Sequence, residues 1–239
     1  DSRLPLALTG EVPVPSLQNI DFLDFLNTDR GRRMRKMMRS LNQRERTGGP
    51  EKIRSLANGT VSQLERLAEL KGKGTPVDYP SSRLAQRLKL TGQLIGGGIP
   101  TRVYYVTQGG YDTHALQKDQ HANLVGDLSA AVTAFYRHLQ KLGRDKNVTV
   151  MVFSEFGRRV EENGSRGTDH GAAGPLFVVS GRARSGFHGD YPNLDRLERG
   201  DLRFNVDFRR VYATLLDQVL GLPPKSILGP GFETLDLLG

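Results

Sequence analysis

The hydrophobic pattern divides the chain into a helical N-terminal part and a mixed part that follows it. The first part, residues 1–98, opens with an extended, proline-rich lead-in and then shows apolar residues at helical spacing. Helices are predicted over residues 20–46, 51–70 and 81–95, because clusters of glycine and proline interrupt the pattern after each of them.

The second part, residues 99–239, alternates between strand-like and helix-like segments. Short runs of β-branched, aromatic and other apolar residues predict strands at 101–106, 148–153 and 175–180. Apolar residues at helical spacing predict a long helix over 118–142 and a final helix over 207–220. This order of elements predicts an α/β fold with a doubly wound, mostly parallel sheet, and the two parts together are expected to form one domain.

Charge and composition narrow the classes of partner. Lys and Arg outnumber Asp and Glu by 34 to 26, and the net charge of +8 favours anionic ligands. No nucleic-acid-binding motif accompanies this charge, and no nucleic acid partner is expected. No apolar run approaches the roughly 20 residues of a membrane-spanning helix. The chain has no cysteine, which excludes disulfides and thiolate metal sites.

The densest basic stretch lies in the first predicted helix. Its positions spread around much of the helix circumference, which is typical of a solvated helix rather than of a binding surface. The residues are Arg30, Arg32, Arg33, Arg35, Lys36 and Arg39.

Candidate chemistry begins after the first predicted strand. In a doubly wound sheet, ligands bind beyond the C-terminal ends of the strands. The residues at that position read Gly109-Gly-Tyr-Asp-Thr-His114, so a carboxylate and an imidazole lie two residues apart. Asp112 and His114 can therefore bind one divalent cation such as zinc. The alternative is structural, with Asp112 capping the next helix and His114 partly exposed.

The residues after the second predicted strand form a long polar loop. Glu155 lies at the end of that strand, and Arg158 with Arg159 offers bidentate donors to an oxyanion. Later in the loop Asp169 and His170 are adjacent and lie between glycines. In the structural alternative, Glu155 pairs with one of the arginines and braces the loop, and both interpretations remain open.

The other histidines are weaker candidates. His121 begins the long predicted helix on its apolar side, and His188 lies in a glycine-rich loop. His138 lies on the flank of the same helix and is expected at the surface. Signatures of nucleotide-binding loops, serine-hydrolase elbows and zinc-protease helices do not occur in the sequence.

Taken together, the motifs resemble the DUF1501 family, a branch of the alkaline phosphatase/sulfatase superfamily. The resemblance extends over nearly the whole chain, and several motifs match in the same order and spacing. They are Gly109-Gly-Tyr-Asp-Thr-His114, Ser154-Glu-Phe-Gly-Arg158, Glu162-Asn-Gly164, Gly167-Thr-Asp-His-Gly171 and Asp207-Phe-Arg-Arg-Val-Tyr212.

The resemblance implies a metal-dependent hydrolase of phosphate or sulfate esters. It assigns one divalent cation (Zn, Ca, Mn or Mg) to Asp112, His114 and His170, with Asp169 beside them. Arg158 would bind the oxyanion of a small or polymeric anionic ester. The resemblance also implies an alkaline phosphatase-like sheet and export to the periplasm or the cell exterior.

One departure from the superfamily pattern supports a different function. Where the superfamily has an Asp-His pair, at the end of the strand over 148–153, this chain has Ser154-Glu155. Glu155 could bind a second or weakened cation, but a histidine is lost. The alternative function is therefore an exported anion- or glycan-binding scaffold without catalysis.

The resemblance further implies that part of the site lies outside this sequence. In the superfamily, the first metal-binding aspartate and the nucleophile come from an N-terminal half, which would precede Asp1. The isolated chain is therefore expected to be inactive. We expect a complement, either an N-terminal polypeptide or further copies of the chain in a homo-oligomer.

Overall fold

The computed structural model of the chain describes residues 21–43, 65–71 and 74–239. These residues divide into two compact units. The first contains the described part of Asp1–Thr75 together with Gln93–Ile99, and the second contains Pro76–Gly92 with Pro100–Gly239. Most of the helix predicted over 51–70 lies outside the described residues.

Helices form the described N-terminal region, as the sequence predicted. The segment predicted over 20–46 contains two helices, α1 (Asp21–Asn27) and α2 (Asp29–Gln43). Residues 65–71 are also helical. The side chain of Asn27 donates to the carbonyl of Ala68 over 2.8 Å, and this bond connects α1 with that helical segment.

The helices predicted over 81–95, 118–142 and 207–220 also lie close to their predicted positions. Helix α3 covers Arg83–Gly96 and α4 covers Gln117–Lys141. Gly143 follows α4 with a φ of 63°, a left-handed conformation that favours glycine and ends the helix. Helix α5 (Phe208–Gln218) is followed by the short α6 (Pro224–Leu228).

The strands pair differently from the prediction. Strands β1 (Val150–Val152) and β4 (Phe177–Val179) are antiparallel neighbours. Strands β2 (Gly157–Arg158) and β3 (His170–Gly171) form a second antiparallel pair. Within the described residues the fold is therefore a mixture of helices and small antiparallel sheets, and no doubly wound parallel sheet is present.

The physical reason for the difference lies in the connections. A parallel pair needs a crossover of a dozen or more residues, usually a helix, whereas the segment between β1 and β4 contains the β2–β3 hairpin. The hairpin brings the chain back to the end of β1, and β4 therefore runs antiparallel to β1. The strand predicted at 101–106 is not formed, because its backbone pairs with no neighbouring strand in the described part of the chain.

One hydrophobic core cluster of the second unit lies where the β1–β4 sheet packs against α5 and the C-terminal residues. Val211 of α5 is buried together with Leu237 and Leu238. Met151 and Val178, one from each strand of the sheet, pack against this cluster. The core positions β1 firmly, and the loop that carries the candidate chemistry begins directly after it.

His138 is buried, and the prediction that it lies at the surface was wrong. Its side chain shares the inner face of α4 with Ala134 and Leu139, and the residue is only 2% exposed. The Tyr79 hydroxyl lies 2.9 Å from His138 Nδ1. A Cβ on Gly92 would lie 2.3 Å from the same atom, so only glycine leaves room for the ring.

Burial of His138 predicts a pH-dependent stability. Desolvation, aided by the charge of Lys89, lowers the pKa of His138 below its ordinary 6.5. The unfolded chain therefore takes up a proton at a higher pH than the folded chain does. The free energy of unfolding is unaffected by this group above about pH 6.5, and it falls as the pH drops from there towards the folded-state pKa.

Melting temperatures measured between about pH 7.5 and 5.5 check this expectation. The wild-type value should fall more steeply than that of His138→Phe, which has no titrating group at this position. His188→Ala is the matched control, because His188 is exposed, and it should keep the wild-type slope. Parallel curves for wild type and His138→Phe would contradict the prediction.

Candidate metal centre

Three side chains converge at the surface of the second unit. Asp112, His114 and His170 each offer a ligand atom, and these atoms all lie within 4.8 Å of one another. Asp112 Oδ1 lies 2.7 Å from His170 Nε2 and 2.9 Å from His114 Nε2. The side chains remain 44–67% exposed, so the cluster is open to solvent and to a small ligand.

The three residues come from two separate segments of the chain. Asp112 and His114 lie in the loop before α4, whereas His170 is the first residue of β3. Arg158 of β2 lies directly opposite His170 in the hairpin. Side chains opposite each other in an antiparallel pair project from the same face, so the register brings Arg158 to the cluster.

Backbone hydrogen bonds join these two segments at the start of α4. Leu116 adopts a left-handed conformation (φ 46°, ψ 40°), and no side chain caps the helix there. Instead, the amides of Leu116 and Gln117 donate to the carbonyls of Ser165 and Arg166, over 3.1 and 3.0 Å. The polar loop thus satisfies amides that a helix N-terminus leaves without partners. Asp112 does not cap this helix, contrary to the structural alternative.

A glycine and an asparagine hold the polar loop against His114. A Cβ on Gly167 would lie 2.3 Å from the carbonyl carbon of His114, so the loop can pass only with glycine there. Asn163 Nδ2 donates to the His114 carbonyl (3.1 Å), and its Oδ1 accepts from the amides of Ser165 and Gly167. These contacts fix the position of the His114 backbone.

Asp169 lies behind His114 rather than inside the cluster. Its Oδ1 is 3.2 Å from His114 Nδ1, while the other ring nitrogen faces Asp112. A carboxylate on the far nitrogen is the usual way to orient a metal-binding histidine and to fix its tautomer. Hydrogen bonds from His114, and then from Asn163, lower the pKa of Asp169.

The chemistry of the donor set suits a cation. When His114 Nδ1–H donates to Asp169, its Nε2 carries a lone pair that points at a carboxylate oxygen of Asp112. Two acceptors 2.9 Å apart are stable only with a proton or a cation near them. The hydrogen bond with His170, followed by the charges of both histidines, lowers the pKa of Asp112, and the carboxylate is therefore ionised at neutral pH.

The ring of His170 is held by an aromatic neighbour. Phe156 stacks on it with the ring centroids 3.8 Å apart and an interplanar angle of 7°. The Arg158 guanidinium lies 5.0 Å from the centroid of the same phenylalanine. Phe156 was not predicted as a site residue, and its only signal in the sequence was its place in the Ser154-Glu-Phe-Gly-Arg158 motif.

Glu155 does not join the cluster. Its side chain is exposed, and the group of ligand atoms within reach of one another does not include it. Arg159 pairs with Asp201 instead, with 3.4 Å between Nε and Oδ1. Among the described residues no ion pair joins Glu155 to either arginine, so the bracing role considered for it is not formed by such a pair.

Two threonines and a glutamine that were not predicted as site residues join the two segments. Gln117 Nε2 donates to Thr113 Oγ1, and Thr168 Oγ1 donates to Gln117 Oε1, both over 2.9 Å. Thr113 separates the two residues of the first segment, and Thr168 precedes those of the second. Short polar side chains in loops are common, and nothing in the sequence indicated that these ones meet.

Fold and site together define a mixed helix-and-sheet protein with an exposed His/Asp cluster. The chain belongs to the family described as "Protein of unknown function (DUF1501)", whose profile matches residues 63–228 and so includes every residue of the cluster. No curated protein and no solved structure matches the chain. Among the described residues, no helix has both the length and the apolar character needed to cross a membrane.

Proposed function

We propose that this DUF1501 protein, in its full-length form, is a metal-dependent hydrolase of phosphate or sulfate esters. The observation that carries the proposal is the convergence of Asp112, His114 and His170 within 4.8 Å. Two imidazoles and a carboxylate form a mixed nitrogen and oxygen set that suits zinc or manganese. A bound cation would polarise the ester and stabilise negative charge on its oxygens.

The remaining residues support binding in distinct ways. Asp169 orients the His114 ring through Nδ1, and Phe156 fixes the plane of the His170 ring. The cluster side chains are 44–67% exposed, so an anionic ester could reach a cation bound there. Glu155 lies outside the cluster, and the proposal therefore concerns a single cation at this position.

The superfamily relationship belongs to the same proposal. We propose an alkaline phosphatase-like fold for the full-length protein and a location outside the cytoplasm. The order and spacing of the motifs support this placement. The two small antiparallel sheets would then be part of a larger sheet completed by strands from a complement, either an N-terminal polypeptide or further copies of the chain.

A catalytically degenerate protein that binds anions or glycans as a scaffold is the second candidate. The observation that favours it is that Glu155 lies outside the cluster. Where the superfamily has a metal-binding Asp-His pair, this chain has Ser154-Glu155, and neither residue supplies a ligand to the cluster. Such a protein needs no cation-dependent turnover. The two candidates therefore differ in whether ester hydrolysis depends on the cluster.

Elemental analysis of the dialysed full-length protein, combined with assays on aryl phosphate and aryl sulfate esters, tests the proposal. We expect about one equivalent of divalent metal per chain. His114→Ala and His170→Ala should each lose the metal and the hydrolysis, because each removes one of three ligands. His188→Ala, a substitution at an exposed histidine in another loop, is the matched control and should keep both.

The outcomes separate the two candidates. Metal and hydrolysis lost together in the cluster variants, with circular dichroism unchanged, would support the hydrolase. Wild-type protein that holds metal yet cleaves neither ester would favour the scaffold. Turnover that persists in His114→Ala would place the chemistry elsewhere and overturn the proposal.

A further inference from the structure

We infer that Arg158 is a positioning residue that holds the two ligand-bearing segments in register, rather than the group that binds the substrate oxyanion. The inference deepens the proposed function and rests on it for the identity of the ligand as a cation. The arrangement of hydrogen bonds around the guanidinium carries it, and that arrangement is a property of the protein itself.

The guanidinium connects the segments through their backbones. Arg158 Nη1 donates to the carbonyl of Thr168 over 2.6 Å, and Nη2 donates to the carbonyl of Tyr111. Tyr111 directly precedes Asp112, and Thr168 is two residues before His170. One planar group with donors in fixed directions therefore sets the separation of the two segments.

The surroundings of Arg158 favour this role over oxyanion binding. Its side chain is 17% exposed, far less than the three cluster residues, and both terminal nitrogens already donate to carbonyls. These bonds use two of the five N–H donors, so it is the low exposure of the side chain that disfavours oxyanion binding. The guanidinium also faces Phe156, which stacks on His170, so its position affects the plane of that ring.

The charge of Arg158 gives the experiment a definite sign. Its Nη2 lies 4.0 Å from Asp112 Oδ1, so the guanidinium repels any cation bound by that carboxylate. If charge were its only contribution, removing Arg158 would tighten cation binding. If it positions the ligands, removing it weakens binding despite the relieved repulsion.

Titration of the full-length protein with Co²⁺ measures both affinity and ligand geometry, the latter through the visible absorption of the bound ion. Arg158→Met removes the charge and the bridge, whereas Arg158→Lys keeps the charge and loses the planar fork. Each should weaken Co²⁺ binding about 10- to 100-fold, the usual effect of losing an outer partner of a metal ligand. Each should also alter the visible spectrum at saturation.

Arg159→Met is the matched control. It removes an equal charge from the neighbouring arginine, whose partners are Asp201 and the carbonyl of Arg199, outside both ligand segments. The Arg159 charge acts on Asp169 only through space, so the Co²⁺ spectrum of Arg159→Met should equal that of the wild type and its affinity should change far less than in the Arg158 variants. A loss of stability alone would reduce the folded fraction and leave the spectrum of the folded protein unchanged.

Affinity that is unchanged or tighter in Arg158→Met would overturn the inference, as would a wild-type spectrum in both variants. If Arg158→Met does not fold, Arg158→Lys carries the comparison. If the wild type takes up no Co²⁺, the proposed function fails, and amide hydrogen exchange decides the inference separately. Faster exchange over residues 111–114 and 168–171 in the Arg158 variants than in Arg159→Met supports it, and equal exchange overturns it.

Discussion

Gly157→Ala is expected to lower the melting temperature by roughly 6–12 °C and to disrupt the β2–β3 hairpin. A Cβ at this position would lie 1.8 Å from the carbonyl oxygen of Ala173, a distance that only movement of the backbone can relieve. Such overpacking costs about 3 kcal/mol. Because Gly157 pairs with Gly171 next to His170, the shift also displaces a cluster residue.

Thermal unfolding followed by circular dichroism measures the effect, and Gly164→Ala provides the matched control. Gly164 lies in the polar loop that leads from β2 to β3, and a Cβ there would meet no atom within 4 Å. Its melting temperature should stay the same or rise slightly, because alanine restricts the unfolded chain. Equal melting temperatures for the two variants would show that the close approach at Gly157 does not matter.

Asp112→Asn is expected to remove cation binding almost completely. Asp112 is the only anionic member of the cluster, and one of its oxygens lies within 2.9 Å of both imidazole Nε2 atoms. The amide keeps the shape of the side chain but offers a neutral oxygen. The loss of affinity should exceed the roughly 10- to 100-fold expected for an outer partner of a metal ligand.

The same Co²⁺ titration on Asp169→Asn provides the comparison for this prediction, because it measures the loss of affinity when an outer partner of a ligand is changed. Asp169 faces the other nitrogen of His114, so its substitution should weaken binding about 10- to 100-fold without abolishing it. Both side chains are more than half exposed, and neither variant should change the melting temperature much. An Asp169→Asn effect as large as that of Asp112→Asn would instead place Asp169 among the direct ligands.

Several helices could be predicted from the sequence to within about two residues, although the segment predicted over 20–46 forms two helices and α6 was not predicted. Helix α4, observed over Gln117–Lys141, was predicted over 118–142, because a stripe of apolar residues at helical spacing defines both the element and its buried face. Helix α5, predicted over 207–220, is capped by Asp207, whose side chain accepts from the amide of Arg209. These signals are local, and each helix satisfies its own backbone hydrogen bonds.

Strand pairing could not be predicted in the same way. The run at 101–106 has strong strand character, yet a strand forms only when a partner supplies the other half of the ladder. Strands were predicted at 148–153 and 175–180, where β1 and β4 lie, but their relative direction depended on a hairpin in the intervening loop. That hairpin needs two glycines opposite each other, Gly157 and Gly171, and no pattern of apolar residues indicates it.

The sequence by itself determined the residue types of the candidate site and the family to which the chain belongs. It indicated Asp112, His114 and His170 as partners, and the structure places their ligand atoms within 4.8 Å. Only the tertiary structure decided which carboxylates take part. Asp169 lies behind His114, and Glu155 lies outside the cluster. Which side chains reach the cluster depends on how two distant segments of the chain are joined. Those joints are hydrogen bonds from Arg158, Asn163 and Thr168 to groups far along the chain, and local sequence patterns carry no record of them.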